Sequence, residues 1–86
     1  MTAVPTRSAL IAALDDPDPN NPLSVAIALA TERYALELNK QARRAGAVPN
    51  PVLLTLPDTE IEAFALEVFM EQLSRMGLRV VLHRTD

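Results

Sequence analysis

The chemistry this chain can do depends on how its oxygen- and nitrogen-bearing side chains are spaced. Asp16, Asp18 and Asn20 occupy alternate positions in Asp15-Asp16-Pro17-Asp18-Pro19-Asn20-Asn21, which resembles the opening of a calcium loop. Such a loop next needs a glycine for its sharp turn and, later, a carboxylate that grips the ion with both oxygens. Asn21 and Ile27 stand at those positions, so the stretch reads as a solvated acidic loop that ends one helix and precedes the next. His83 is the only histidine and the chain has no cysteine, so no ligand set forms around it. On a terminal strand between Leu82 and Arg84 it reads as an ordinary surface histidine, since acid-base work requires positioned partners.

Nucleophiles and phosphate-binding loops fare no better. Ser8, Ser24 and Ser74 lie in helical patterns and none sits in the Gly-x-Ser-x-Gly turn that exposes a hydrolase serine. Glu67 and Glu71 are one helical turn apart, but Arg75 follows Glu71 by four residues in the orientation that favours a surface ion pair. Neither glycine, Gly46 or Gly77, belongs to a Gly-x-Gly-x-x-Gly or Gly-x-x-x-x-Gly-Lys loop. Pro57-Asp58 occupies the turn where a nucleotide fold holds its phosphates, and a carboxylate there repels them. No catalytic, metal or cofactor site is expected.

The basic residues offer a different chemistry. Lys40, Arg43 and Arg44 end one helical pattern, while Arg79, His83 and Arg84 lie on the last strand. Gathered on one surface they would grip a nucleic-acid backbone, so a nucleic-acid-binding regulator using Lys40, Arg43, Arg44, Arg79 and Arg84 is one reading. The formal net charge of -3 opposes it. So does the scarcity of aromatics: Tyr34, Phe64 and Phe69 all occupy apolar helical positions and offer no stacking platform.

The elements that position these residues are well punctuated. Thr6 can cap a short helix from about Arg7 to Leu14 that turns Leu10, Ala13 and Leu14 to one side. Asn21 followed by Pro22 is a strong start signal for a second helix, running to about Ala45 and stopped by Gly46. Its main apolar stripe is Ile27, Tyr34, Leu38 and Ala45; a second stripe, Val25, Leu29 and Leu36, lies on another face. Val52 to Leu56, bounded by Pro51 and Pro57, reads as a buried strand. Thr59-Glu60-Ile61-Glu62 fits a capping box for a third helix reaching about Met76. That helix turns Ile61, Ala65, Leu66, Phe69, Leu73 and Met76 inward, and Phe64, Val68 and Met70 widen its apolar sector. After Gly77, Leu78 to Arg84 reads as a second strand.

Strand, helix, glycine turn and strand make a β-α-β unit with parallel strands. The expected fold is therefore a helix-rich α+β domain in the order α-α-β-α-β, with a helical hairpin over about 7–45 and the β-α-β unit over about 52–84. With 86 residues the chain makes one domain with one core, residues 1–86. Hydrophobic residues are 49% of it and charged ones 22%, which supports folding over disorder. Lack of cysteine excludes disulfides and suits a reducing compartment, the cytoplasm. Met1 to Ser8, followed by the short apolar stretch Ala9 to Leu14, is too brief for a signal segment or a membrane span.

A two-stranded sheet leaves two edges of unpaired backbone, and small domains are marginal unless a partner adds burial. The chain is thus expected to be a non-enzymatic protein-protein interaction or assembly module that pairs with a second copy of itself. The interface residues expected on this reading are Val25, Leu29 and Leu36 on the second stripe of helix two, with Phe64 and Val68 on the flank of helix three. The competing reading makes these residues the core around a wrapped first helix.

Overall fold

A computed structural model describes residues 5–84; Met1 to Val4, the start of the stretch read for a targeting segment, and residues 85–86 lie outside the described residues. The elements are α1 (Arg7–Asp15), α2 (Pro22–Ala45), β1 (Val52–Thr55), α3 (Glu60–Arg75) and β2 (Val80–His83). The fold is the expected one: helices and a small parallel two-stranded sheet in the order α-α-β-α-β.

Each helix begins where a side chain can serve its free N–H groups. Thr6 Oγ1 accepts from Ala9 N at 3.1 Å, Asn21 Oδ1 from Leu23 N at 3.0 Å, and Thr59 Oγ1 from Glu62 N at 3.1 Å. The capping box differs in one detail. Glu62 reaches back to the N–H of Asp58, at 3.3 Å, one residue beyond the cap. The stops of α2 and α3 are glycines: Gly46 follows α2 with φ 76° and Gly77 follows α3 with φ 79°, both left-handed. At the end of α3, Gly77 N donates to Ser74 O and Leu78 N to Leu73 O, each at 3.0 Å, a Schellman arrangement. Leu78 then packs back on the cluster that contains Leu73.

β1 and β2 pair in parallel with Val52 opposite Val80 and Thr55 opposite His83. Both strands are shorter than the apolar runs suggested, although Leu56 N still donates to His83 O at 2.9 Å. One face of the sheet meets the helices: Val52 and Leu54 cluster with Tyr34 of α2 and Leu66 and Leu73 of α3, all buried. A second cluster joins Leu10 and Ala13 of α1 to Ile27 of α2 and Phe64 of α3. The first helix is thus the lid of a separate small core. Ala45 and Met76, expected on apolar faces, are exposed, Met76 to 69%, because each sits in the last turn before its glycine stop, past the reach of the sheet.

Candidate interaction surface

α2 runs along the side of β1 that faces away from β2, and two of its polar residues meet the strand's backbone. The Gln41 amide accepts from Leu53 N at 2.8 Å and donates to Leu53 O, as a peptide group on a neighbouring strand would. One turn earlier, Glu37 Oε1 accepts from Thr55 N at 3.0 Å and from the Thr55 hydroxyl. The expectation of two open sheet edges is therefore corrected: the edge of β1 is closed within the chain. The sequence held a signal for this. Glu37 and Gln41 follow Tyr34 by one and two turns, which puts polar side chains beside the main apolar stripe.

The edge of β2 is different. Val52 N donates to Arg79 O at 2.8 Å and Leu56 N to His83 O at 2.9 Å, so the odd-numbered residues of β2 turn their peptide groups toward β1. Those of Val80 and Leu82 point the other way. Among the described residues no partner meets them. The outer sheet face is also bare, with Leu53 and Val81 side by side at 45% and 47% exposure.

The expected interface residues separate into two groups. Val25, Leu29 and Leu36 are exposed, at 42%, 62% and 53%. Phe64, by contrast, is buried in the chain's own second cluster, and half-buried Val68 packs against the same cluster. The reason is α1. Arg7 forms a two-point ion pair with Glu67 (Nη1 to Oε2 3.0 Å, Nη2 to Oε1 2.8 Å) and lies 5.8 Å above the Phe64 ring, which draws α1 over that flank of α3. Glu67 and Glu71 are consequently not a pair, since Glu71 binds Arg75 at 2.9 Å. Ser24 is buried and donates to Ala13 O at 3.0 Å, tying α2 to α1.

Beside the end of β1, Arg33 contacts Glu62 at 2.6 Å and lies 5.5 Å from the Tyr34 ring. The Tyr34 hydroxyl is buried and has no hydrogen-bond partner among the described residues. Burial pushes this phenol above its ordinary value; Arg33 opposes the rise, and Glu62, Glu37 and Asp58 add to it. Asp18 of the acidic loop accepts from Asn20 N at 2.9 Å, a local turn, and the described residues contain no group of three candidate metal ligands. A groove of about 410 Å³ separates the end of α1 from α2; it is walled by Leu14, Pro17, Ala28 and Thr31, with Glu32 as its one ionisable residue.

The five cations Lys40, Arg43, Arg44, Arg79 and Arg84 make no ion pair among the described residues, whereas Arg7, Arg33 and Arg75 all do. The α2 group lies on the β1 side of the sheet, and Arg79 and Arg84 stand at opposite ends of β2, about 16 Å apart by strand rise.

Compared with family models, with curated proteins and with solved structures, the chain matches none. Among the described residues, the α2 stripe, the β2 edge and the outer sheet face are left uncovered.

Proposed function

We propose that this chain is a small non-enzymatic interaction module that pairs with a second copy of itself through α2. The observation that carries the reading is the exposure of Val25, Leu29 and Leu36 on a helix whose opposite side is filled by Ile27, Ala30 and Tyr34. At helical spacing the three side chains fall within about 40° of arc, a single stripe. Fully burying one such side chain is worth roughly 1.5–3 kcal/mol, so leaving all three wet forgoes a large stabilisation for a small domain.

The size of the surface supports the same reading. The chain exposes 6108 Å², against roughly 5,000 Å² for a typical folded monomer of 9.4 kDa. An ordinary protein interface takes about 800 Å² from each partner. Charge also favours an antiparallel pair: with Leu36 set against its own copy, Glu32 of each chain lies opposite Lys40 of the other. An isologous contact of that kind closes on itself as a dimer.

The test is mass in solution by light scattering and sedimentation. The natural sequence should give a dimer, and Leu29→Asp should give a monomer with unchanged far-ultraviolet circular dichroism. A folded Leu29→Asp protein with unchanged mass, or a natural sequence that is monomeric at high concentration, defeats the proposal.

Lys40, Arg43, Arg44, Arg79 and Arg84 make no ion pair among the described residues, which favours a second reading, nucleic-acid binding. Such binding must weaken steeply with salt, and a mobility assay without any shift at low ionic strength removes it. No helix among the described residues is long and apolar enough to cross a membrane. The cysteine-free composition fits work in the reducing cytoplasm.

A further inference from the structure

We propose that the outer edge of β2 takes an extended segment of another protein, alternating apolar and acidic residues, as a third strand of the sheet. The peptide groups of Val80 and Leu82 supply the hydrogen-bonding row, since β1 engages only the peptide groups of the residues between and beside them. An added strand bonds to such a row whatever its sequence, and its alternating side chains then select the partner.

Charge identifies that partner. From Gln72 to Thr85 the chain carries Arg75, Arg79, His83 and Arg84 and no carboxylate, although the protein as a whole is acidic at -3. Arg75 is bound to Glu71, but Arg79 and Arg84 make no ion pair among the described residues. On the outer face Arg79, Val81 and His83 stand in a row, while Val80 and Leu82 turn toward the helical side. An incoming strand is accommodated when its carboxylates fall beside Arg79 and His83 and its apolar residues extend the row of Val80 and Leu82.

A second copy of this chain is a poorer occupant. Antiparallel pairing of two β2 strands about Val81 sets Arg79 opposite His83 and supplies no carboxylate from either strand. The proposed dimer contact also lies elsewhere. α2 stands beyond β1, so the β2 edge stays open in a pair formed through α2.

The experiment uses two short blocked peptides, one alternating valine and glutamate and the other alternating valine and lysine, with amide exchange of the full chain read residue by residue. The glutamate peptide should slow exchange at Val80 and Leu82, leave Val81 and His83 unchanged, and bind about tenfold more tightly than the lysine peptide. Leu82→Pro removes an outward N–H without touching the ladder to β1 and should abolish the effect. The double variant Arg79→Glu with Arg84→Glu, confirmed as folded by circular dichroism, should prefer the lysine peptide.

Equal binding of the two peptides, or no protection at Val80 and Leu82, overturns the proposal. Protection of those amides that grows with protein concentration in the absence of peptide gives the edge to a second copy and overturns it as well. Leu29→Asp should leave the peptide titration intact, which separates this outcome from the fate of the α2 dimer.

Discussion

Gln41 and Glu37 stand in for a missing strand, and they do so with unequal stakes. Thr55 is buried, so Glu37→Ala leaves its N–H and hydroxyl without partners and should destabilise the fold by about 1–3 kcal/mol. Leu53 is half-exposed, and water can replace the amide lost in Gln41→Ala, for a cost of about 1 kcal/mol or less. Urea denaturation of the two variants checks the order, and faster exchange of the Leu53 amide checks the site. Tyr34 is the opposite case, a buried hydroxyl with no partner among the described residues. Tyr34→Phe should therefore be neutral or stabilising by up to about 1 kcal/mol, and a clear loss in urea would reveal a partner for the hydroxyl. At this scale the sequence was legible where function is local: Thr6, Asn21 and Thr59 all cap as their types predict. The roles of Gln41 and Glu37 were not, since each depends on a strand more than ten residues away.

Among the elements, α1 and the two glycine stops show how separate pieces are joined. Gly77 holds φ 79° with open space where a Cβ would stand, so the cost of Gly77→Ala is conformational alone. It should be about 1–2 kcal/mol, measurable as a lower denaturation midpoint without loss of fold. α1 is held partly by Arg7 and Glu67. The guanidinium of Arg7, by hydrogen bond first and charge second, holds the Glu67 carboxyl below its ordinary value, while the same contact raises Arg7. The sign follows from linkage: a carboxylate whose value is depressed in the fold stabilises it fully above the ordinary value of about 4.3 and less as pH falls below that. Amides of α1 should thus lose protection in acid before those of α3, and Arg7→Ala should remove the difference. Both side chains are largely exposed, so salt should weaken the effect too. The same contact explains the misplacement of Phe64. Periodicity puts that residue on the edge of an apolar sector, and only the docking of α1 turns the edge into an interior.

The whole molecule is thin and long, 41 × 28 × 19 Å, with a radius of gyration of 13.8 Å where a compact chain of this length has about 12 Å. One layer of helices on a two-stranded sheet leaves the far sheet face and one flank of α2 without a second layer. Parallel sheets are ordinarily covered on both faces. If α2 pairs with a second copy, thermal stability must depend on concentration by mass action. The unfolding midpoint of the natural sequence should therefore rise with protein concentration, and that of Leu29→Asp should stay constant. A midpoint independent of concentration in both proteins counts against the dimer.

The sequence by itself determined the order of the elements, their caps and stops, the parallel hand of the strands and the exposed stripe Val25, Leu29 and Leu36. All of these follow from near neighbours: a cap acts over three residues, a glycine over one turn, and an apolar stripe over the period of one helix. Tertiary structure alone decided that α1 buries Phe64, that Gln41 and Glu37 close one edge of the sheet, and that Val80 and Leu82 are left at the open one. Each of these depends on which distant segment arrives beside a residue, and that is fixed only when all the elements pack together around the two apolar clusters.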